Sequence, residues 1–114
     1  MRVYGLKTCD TCRKALSALE AAGLAPEFVD IRAEPSVPGR LPGWAKAVGA
    51  ERLVNRASMT WRKLSDADKA RASGEAGIIA VLTEHPTLIK RPVIETGKAV
   101  HVGWTKDVQA ALGI

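Results

Sequence analysis

Two cysteines three residues apart, Cys9 and Cys12, stand between a short apolar run and the start of an amphipathic helix. No other feature limits the chain as much. Val3 and Tyr4 open a strand that Gly5 ends, and Leu6-Lys7-Thr8 leads to a helix beginning near Asp10. Beyond Cys12, the residues Ala15, Leu16, Leu19 and Ala22 recur at three- and four-residue steps, and Gly23 supplies a stop. The spacing predicts a helix over residues 10–22. After Pro26, the residues Phe28, Val29 and Ile31 mark a second strand. A β-α-β unit of this length requires a right-handed crossover and parallel strands, and a CxxC in such a unit points to thiol redox chemistry.

The chemistry follows from where the helix begins. Cys9 precedes the first turn and Cys12 lies within it, so the two side chains share one face and can close a disulfide. Unpaired N–H groups and the positive end of the dipole favour a thiolate at Cys9. Lys7, Arg13 and Lys14 are expected to add positive potential. An ordinary thiol has a pKa of about 8.5, and cysteines at such sites fall to roughly 3.5–7.5. Cys9 is therefore the expected nucleophile, and Cys12 the resolving thiol that displaces a mixed disulfide. A CxxC is also half a zinc site, but the other ligands would have to be His85 and His101, whose spacing does not fit a zinc knuckle. No bound metal and no bound cofactor are expected.

The rest of the chain changes character twice. Residues 35–42 hold three Pro and a Gly and read as a turn-rich connection. Helical segments follow: one around Trp44, Ala45, Ala47 and Val48, one starting at Ser65 as N-cap, and one over residues 75–85 with Ile78, Ile79 and Leu82 on its buried side. Trp44 and Trp61 read as packing residues, Trp104 as a cover for the last helix, and His85 as a helix C-terminal residue. Residues 92–95 and 99–102 then form two short strands joined through Gly97, and a final helix spans Lys106 to Leu112. Proline at the head of the first of these strands can be cis. In this layout the loop Lys90-Arg91-Pro92 faces the CxxC, where Arg91 could hold an oxyanion or the Cys9 thiolate. The whole reads as one α/β domain over residues 1–114, a thioredoxin-like fold (β-α-β plus β-β-α) with a helical insertion at about 36–86.

Composition bounds the function classes. The chain has 114 residues, 46% hydrophobic and 25% charged, enough for one domain with a real core. A net charge of +5 favours anionic partners. Three Trp, one Tyr and one Phe supply few of the stacking platforms that single-strand nucleic-acid binders use. The N-terminus lacks the apolar stretch of a signal peptide, and no apolar window is long enough to span a membrane. The expected setting is the cytoplasm, with no membrane partner and a monomeric chain.

Three blocks carry a family resemblance: Tyr4-Gly5-Leu6-Lys7-Thr8-Cys9-Asp10-Thr11-Cys12-Arg13-Lys14-Ala15-Leu16, Thr60-Trp61-Arg62-Lys63-Leu64, and Glu84-His85-Pro86-Thr87-Leu88-Ile89-Lys90-Arg91-Pro92-Val93. Together they resemble the ArsC/Spx family of arsenate reductase-like proteins, with the YffB-like branch most similar. The resemblance implies a thioredoxin-like fold with a helical insertion, the active-site Cys at Cys9, and the arginine and cis-proline at Arg91 and Pro92. Glutaredoxin-dependent arsenate reductases of the family use three arginines. Arg91 matches one, Arg56 lies at or beside the second, where Asn55 is the other choice, and the third falls near Val102, where no arginine stands. The expected activity is that of a thiol-disulfide oxidoreductase, with glutathione as co-substrate or with glutaredoxin or thioredoxin as partner, acting on a disulfide or a small oxyanion. Catalysis is assigned to Cys9, Cys12 and Arg91, and substrate binding to Thr8, Thr11, Arg56, Arg91 and Pro92. The Spx branch also carries a CxxC here, which implies the alternative of a redox-sensing regulator that binds RNA polymerase without turnover.

Overall fold

A computed structural model describes residues 1–114. The chain divides into two compact units, Met1–Ala33 with Arg91–Ile114, and Glu34–Lys90. The first holds a four-stranded mixed sheet. Strand β1 (Arg2–Gly5) is followed by helix α1 (Asp10–Ala21) and strand β2 (Glu27–Asp30). The remainder of the unit is the hairpin β3 (Val93–Glu95) and β4 (Val100–Val102), and the C-terminal helix (Lys106–Ala111). The sheet order is β2-β1-β3-β4. β1 runs parallel to β2, with Val3 opposite Phe28, and antiparallel to β3, with Val3 opposite Ile94. β3 and β4 are also antiparallel. This is the thioredoxin-like α/β arrangement expected from the sequence.

Burial follows the strand order. The central strands carry Val3, Tyr4, Val93 and Ile94, all buried, while β2 and β4 lie at the edges and are half-exposed. On one face, Val3 and Ile94 pack with Leu19 of α1, and Met1, Leu16, Trp104, Val108 and Leu112 close over them. Trp104 thus covers this core beside the last helix, as expected. On the other face the buried Tyr4 hydroxyl donates to Glu95 Oε1 at 3.0 Å. Helix α1 buries Cys12, Ala15 and Leu19, but Ala22 is exposed and caps the helix, so the stripe ends one turn early. Gly23 leaves the helix at φ +75°, and Gly97 turns the hairpin at φ +83°.

The second unit is helical. It contains α2 (Val37–Val48), α3 (Ala50–Leu53), α4 (Met59–Lys63), α5 (Asp66–Arg71) and α6 (Gly74–Glu84), then a 3-10 turn at Pro86–Leu88. Here the sequence expectation for residues 35–42 is corrected: helix α2 begins at Val37 and runs through Pro38 and Pro42. Pro38 sits in the first turn, where its missing N–H has no intrahelical partner to lose. Pro42 forfeits one bond to the Pro38 carbonyl. Val37, Leu41, Trp44 and Ala45 are buried at helical spacing, whereas both prolines, Gly39 and Gly43 point to solvent. Burial of the stripe outweighs the lost bond.

Ser65 caps α5 as expected, accepting from the Asp68 N–H at 3.1 Å, and Ser58 caps α4 in the same way. On α6 the buried residues are Ile78, Val81 and Leu82, with Ile79 half-exposed, so the buried face is rotated from the expected one. The helix packs on α2 and α3. Val54 and Ile89 form an isolated antiparallel bridge, closed by Asn55 N–H to Leu88 O at 2.8 Å and Lys90 N–H to Leu53 O at 2.7 Å. No helix is long and apolar enough to cross a membrane.

Gly77 shows how closely α6 meets the end of α5. A Cβ there would overlap the Arg71 carbonyl oxygen and lie 3.3 Å from its carbon. Alanine in a helix interior ordinarily gains about 1 kcal/mol over glycine, but overpacking against backbone costs about 1–3 kcal/mol. Gly77→Ala is therefore expected to lose about 1 kcal/mol net, read as a lower urea midpoint at unchanged slope.

Candidate active site

The loop between β1 and α1 is short and tightly bonded. Cys9 N–H donates to Leu6 O at 3.1 Å, and the Cys9 carbonyl accepts from Arg13 N–H at 3.0 Å, the first bond of the helix. Cys9 is the N-cap, with extended backbone at φ −86° and ψ 118°. Serine or aspartate usually stands there, because a side-chain oxygen can accept from the first-turn N–H groups. A thiol makes no such cap bond here, but a thiolate is a strong acceptor at the positive end of the helix.

The two sulfurs occupy different surroundings. Both are free thiols, Cys9 half-exposed and Cys12 fully buried. Partial burial works against a charge on Cys9, but the Cys12 N–H, the Cys12 thiol and the Arg91 guanidinium outweigh it and hold Cys9 below the ordinary thiol range. Burial pushes the Cys12 thiol up to about 11, against the pull of the Leu6 N–H and with the neighbouring Cys9 adding to the rise. One cysteine of the pair is thus prepared to ionise and the other to stay protonated.

Arg91 is half-buried and follows directly on the helical unit, and its bond to Pro92 is cis. Pro92 is buried, and its carbonyl accepts from Gly103 N–H at 2.9 Å, fixing the head of β3. Thr8 and Thr11 are exposed on either side of Cys9. The structure therefore brings Cys9, Cys12 and Arg91 together, with Pro92 adjoining Arg91 and the two threonines beside Cys9.

Other charges differ from expectation. Arg13 does not lend its charge to Cys9; it pairs with Asp10 one turn away on the helix surface. Lys7 and Lys14 are exposed, and the cation that acts on Cys9 is Arg91. Within the helical unit, Arg56 pairs with Glu51, donates to Ala72 O at 2.9 Å and lies 5.2 Å from the centre of the Trp61 ring. Trp61 is accordingly half-buried under a cation, while Trp44 is a core residue. Asn55 is a turn residue there, its Oδ1 accepting from Ala57 N–H at 3.1 Å. His85 caps α6, with Nε2 at 3.9 Å from Asp68 Oδ2.

One residue of the site was not foreseen. Gly5 reads as a strand end, yet a Cβ on it would overlap the Cys12 sulfur. A glycine inside a strand pattern is a signal of close backbone approach.

The description of the ArsC family matches residues 4–112. The chain belongs to the ArsC family. Its motif blocks and its fold agree with that membership. An uncharacterized protein of Haemophilus influenzae is 39% identical over 111 residues, covering 96% of each chain. The solved structure of a protein named YFFB is 38% identical, with a TM-score of 0.88 over 96% of each chain. An arsenate reductase (ArsC) related protein from Brucella melitensis is 33% identical, with a TM-score of 0.74 over 96% of this chain and 91% of that one. No cluster of three or more His, Cys, Asp or Glu side chains is placed to hold a metal ion.

The role of Arg91 can be read from one pH profile. Because its charge helps hold Cys9 below the ordinary thiol range, Arg91→Met is expected to move the midpoint of Cys9 alkylation upward, toward about 8.5. A midpoint that does not move would assign the depression to the helix start alone.

Proposed function

We propose that the chain is a thiol-disulfide oxidoreductase in which Cys9 is the nucleophile and Cys12 resolves. The observation that carries this reading is the opposed pair of thiols, Cys9 held below the ordinary range beside Arg91 and Cys12 pushed up to about 11. A structural pair would not need one member more acidic than an ordinary thiol and accessible. Membership of the ArsC family supports the same chemistry.

The Cys9 thiolate attacks a disulfide R–S–S–R′, forming Cys9–S–S–R and expelling R′–S⁻, which takes a proton from solvent. Cys12 then attacks the Cys9 sulfur; its proton passes to the departing R–S⁻, and the products are the Cys9–Cys12 disulfide and R–SH. Two equivalents of glutathione, or one dithiol protein such as reduced thioredoxin or glutaredoxin, return the pair to thiols. Arg91 holds the thiolate and the anionic end of a glutathione conjugate or small oxyanion. Thr8, Thr11 and the backbone at Pro92 line the approach to Cys9. Arg56 is engaged by Glu51 and Ala72 within the helical unit.

Two variants separate the roles. Cys9→Ser is expected to abolish reduction of a glutathione mixed disulfide. Cys12→Ser is expected to accumulate a covalent adduct on Cys9, seen by mass spectrometry, that only added thiol releases. A wild-type protein that gives no turnover with glutathione or thioredoxin, on mixed disulfide or arsenate, would overturn the enzymatic reading.

A further inference from the structure

We propose that Gly5 and Leu6 form a cradle for the Cys12 sulfur, and that Gly5 is a positioning residue for the resolving step. The inference rests on the oxidoreductase reading and deepens it.

Gly5 ends β1 on the face that carries Val3, with Phe28 beside it in the neighbouring strand. It is buried, and no left-handed φ requires glycine at this position. What requires it is space. A Cβ on Gly5 would overlap Cys12 Sγ and lie 3.2 Å from Cys12 Cβ and 3.8 Å from Phe28 Cε1. The sulfur therefore occupies the volume that any other residue's side chain would fill. The next residue contributes the Leu6 N–H, whose pull favours the charged form of Cys12. Strand end and helix start thus meet at one sulfur atom.

This seat matters in the second chemical step. Attack on the Cys9–S–S–R disulfide needs the Cys12 sulfur aligned with the bond it breaks, and negative charge builds on that sulfur before its proton reaches the departing thiolate. The hollow at Gly5 fixes the position, and the Leu6 N–H stabilises the charge. A side chain at residue 5 would push the sulfur off both. The first step needs only Cys9, which residue 5 reaches solely through the Cys12 thiol; the Cys12 N–H and Arg91, which also hold Cys9 below the ordinary range, do not involve residue 5.

Gly5→Ala in the full chain, mixed rapidly with oxidised glutathione, tests this. The first phase, glutathione joining Cys9, is expected to persist. The second, release of that glutathione with closure of the Cys9–Cys12 disulfide, is expected to slow by about a hundredfold, the scale of an ångström misplacement. Its pH midpoint should rise as the sulfur is moved away from the Leu6 N–H. A second phase at the wild-type rate and midpoint would overturn the cradle. Thermal melting of Gly5→Ala, Cys12→Ala and the double variant gives a readout that does not depend on catalysis. Gly5→Ala should lower Tm strongly when the sulfur is present and much less in the Cys12→Ala background. Equal losses in both backgrounds, or a double variant that fails to fold where Gly5→Ala also fails, would overturn the proposal. A wild-type protein without the first phase would sink the oxidoreductase reading while leaving the melting comparison valid for the cradle.

Discussion

Helix α1 can serve as a thiol-bearing helix only if its first turn comes down onto the end of β1, because the depth of that contact decides what each cysteine experiences. At Gly5 no side chain intervenes, so the buried Cys12 rests on strand backbone. The same contact leaves Cys9 at the cap, above the strand end, where it faces both the N–H groups of the turn and Arg91. One helical turn therefore spans a steep change in surroundings. Val3, Ile94 and Leu19 further down the interface fix the packing that holds this depth.

Charge acts locally in this molecule. A net charge of +5 suggests a broad positive field, but most arginines with defined partners are neutralised by nearby acids: Arg2 by Glu27, Arg13 by Asp10, Arg56 by Glu51, and Arg71 by Asp68 and Glu84. Such exposed pairs contribute about 0–1 kcal/mol each, and their cations are not available to a distant thiolate. Arg91 differs because it is half-buried, close to Cys9, and acts where solvent screens less. The chemistry depends on where one guanidinium stands rather than on how many the chain carries.

What could be read from the sequence was what has a period or a punctuation mark. The stripe of α1, the turn at Gly97, the cap at Ser65 and the CxxC at a helix start all express local rules, and each has its counterpart in the structure. The second half of α2 was legible at Trp44, Ala45, Ala47 and Val48, but its first half was hidden because proline and glycine dominate it, and their position on the solvent face becomes visible only once Val37, Leu41 and Trp44 are known to be buried together. The four residues of α3 are too few to show a helical period. At the site, the cysteines and Arg91 were legible from their motif. Gly5 was not, because its constraint is a contact with a residue seven positions away across a loop. The engagement of Arg13 and Arg56 was hidden for a similar reason: a positive side chain in a sequence does not reveal which acid it will meet.

The two thiols also influence one another, and this would order the steps of the proposed reaction. A thiolate on Cys9 opposes ionisation of Cys12 through charge and a hydrogen bond, on top of the larger effect of burial. While Cys9 is free, Cys12 therefore stays protonated and does not compete for substrate. Once Cys9 is joined to a substrate sulfur its negative charge is gone, and that part of the restraint on Cys12 disappears, while the Leu6 N–H continues to favour the Cys12 thiolate. Forming the mixed disulfide thus makes its own resolving thiol more acidic. Burial keeps Cys12 less acidic than a free cysteine, so its attack remains confined to the one disulfide its position can reach.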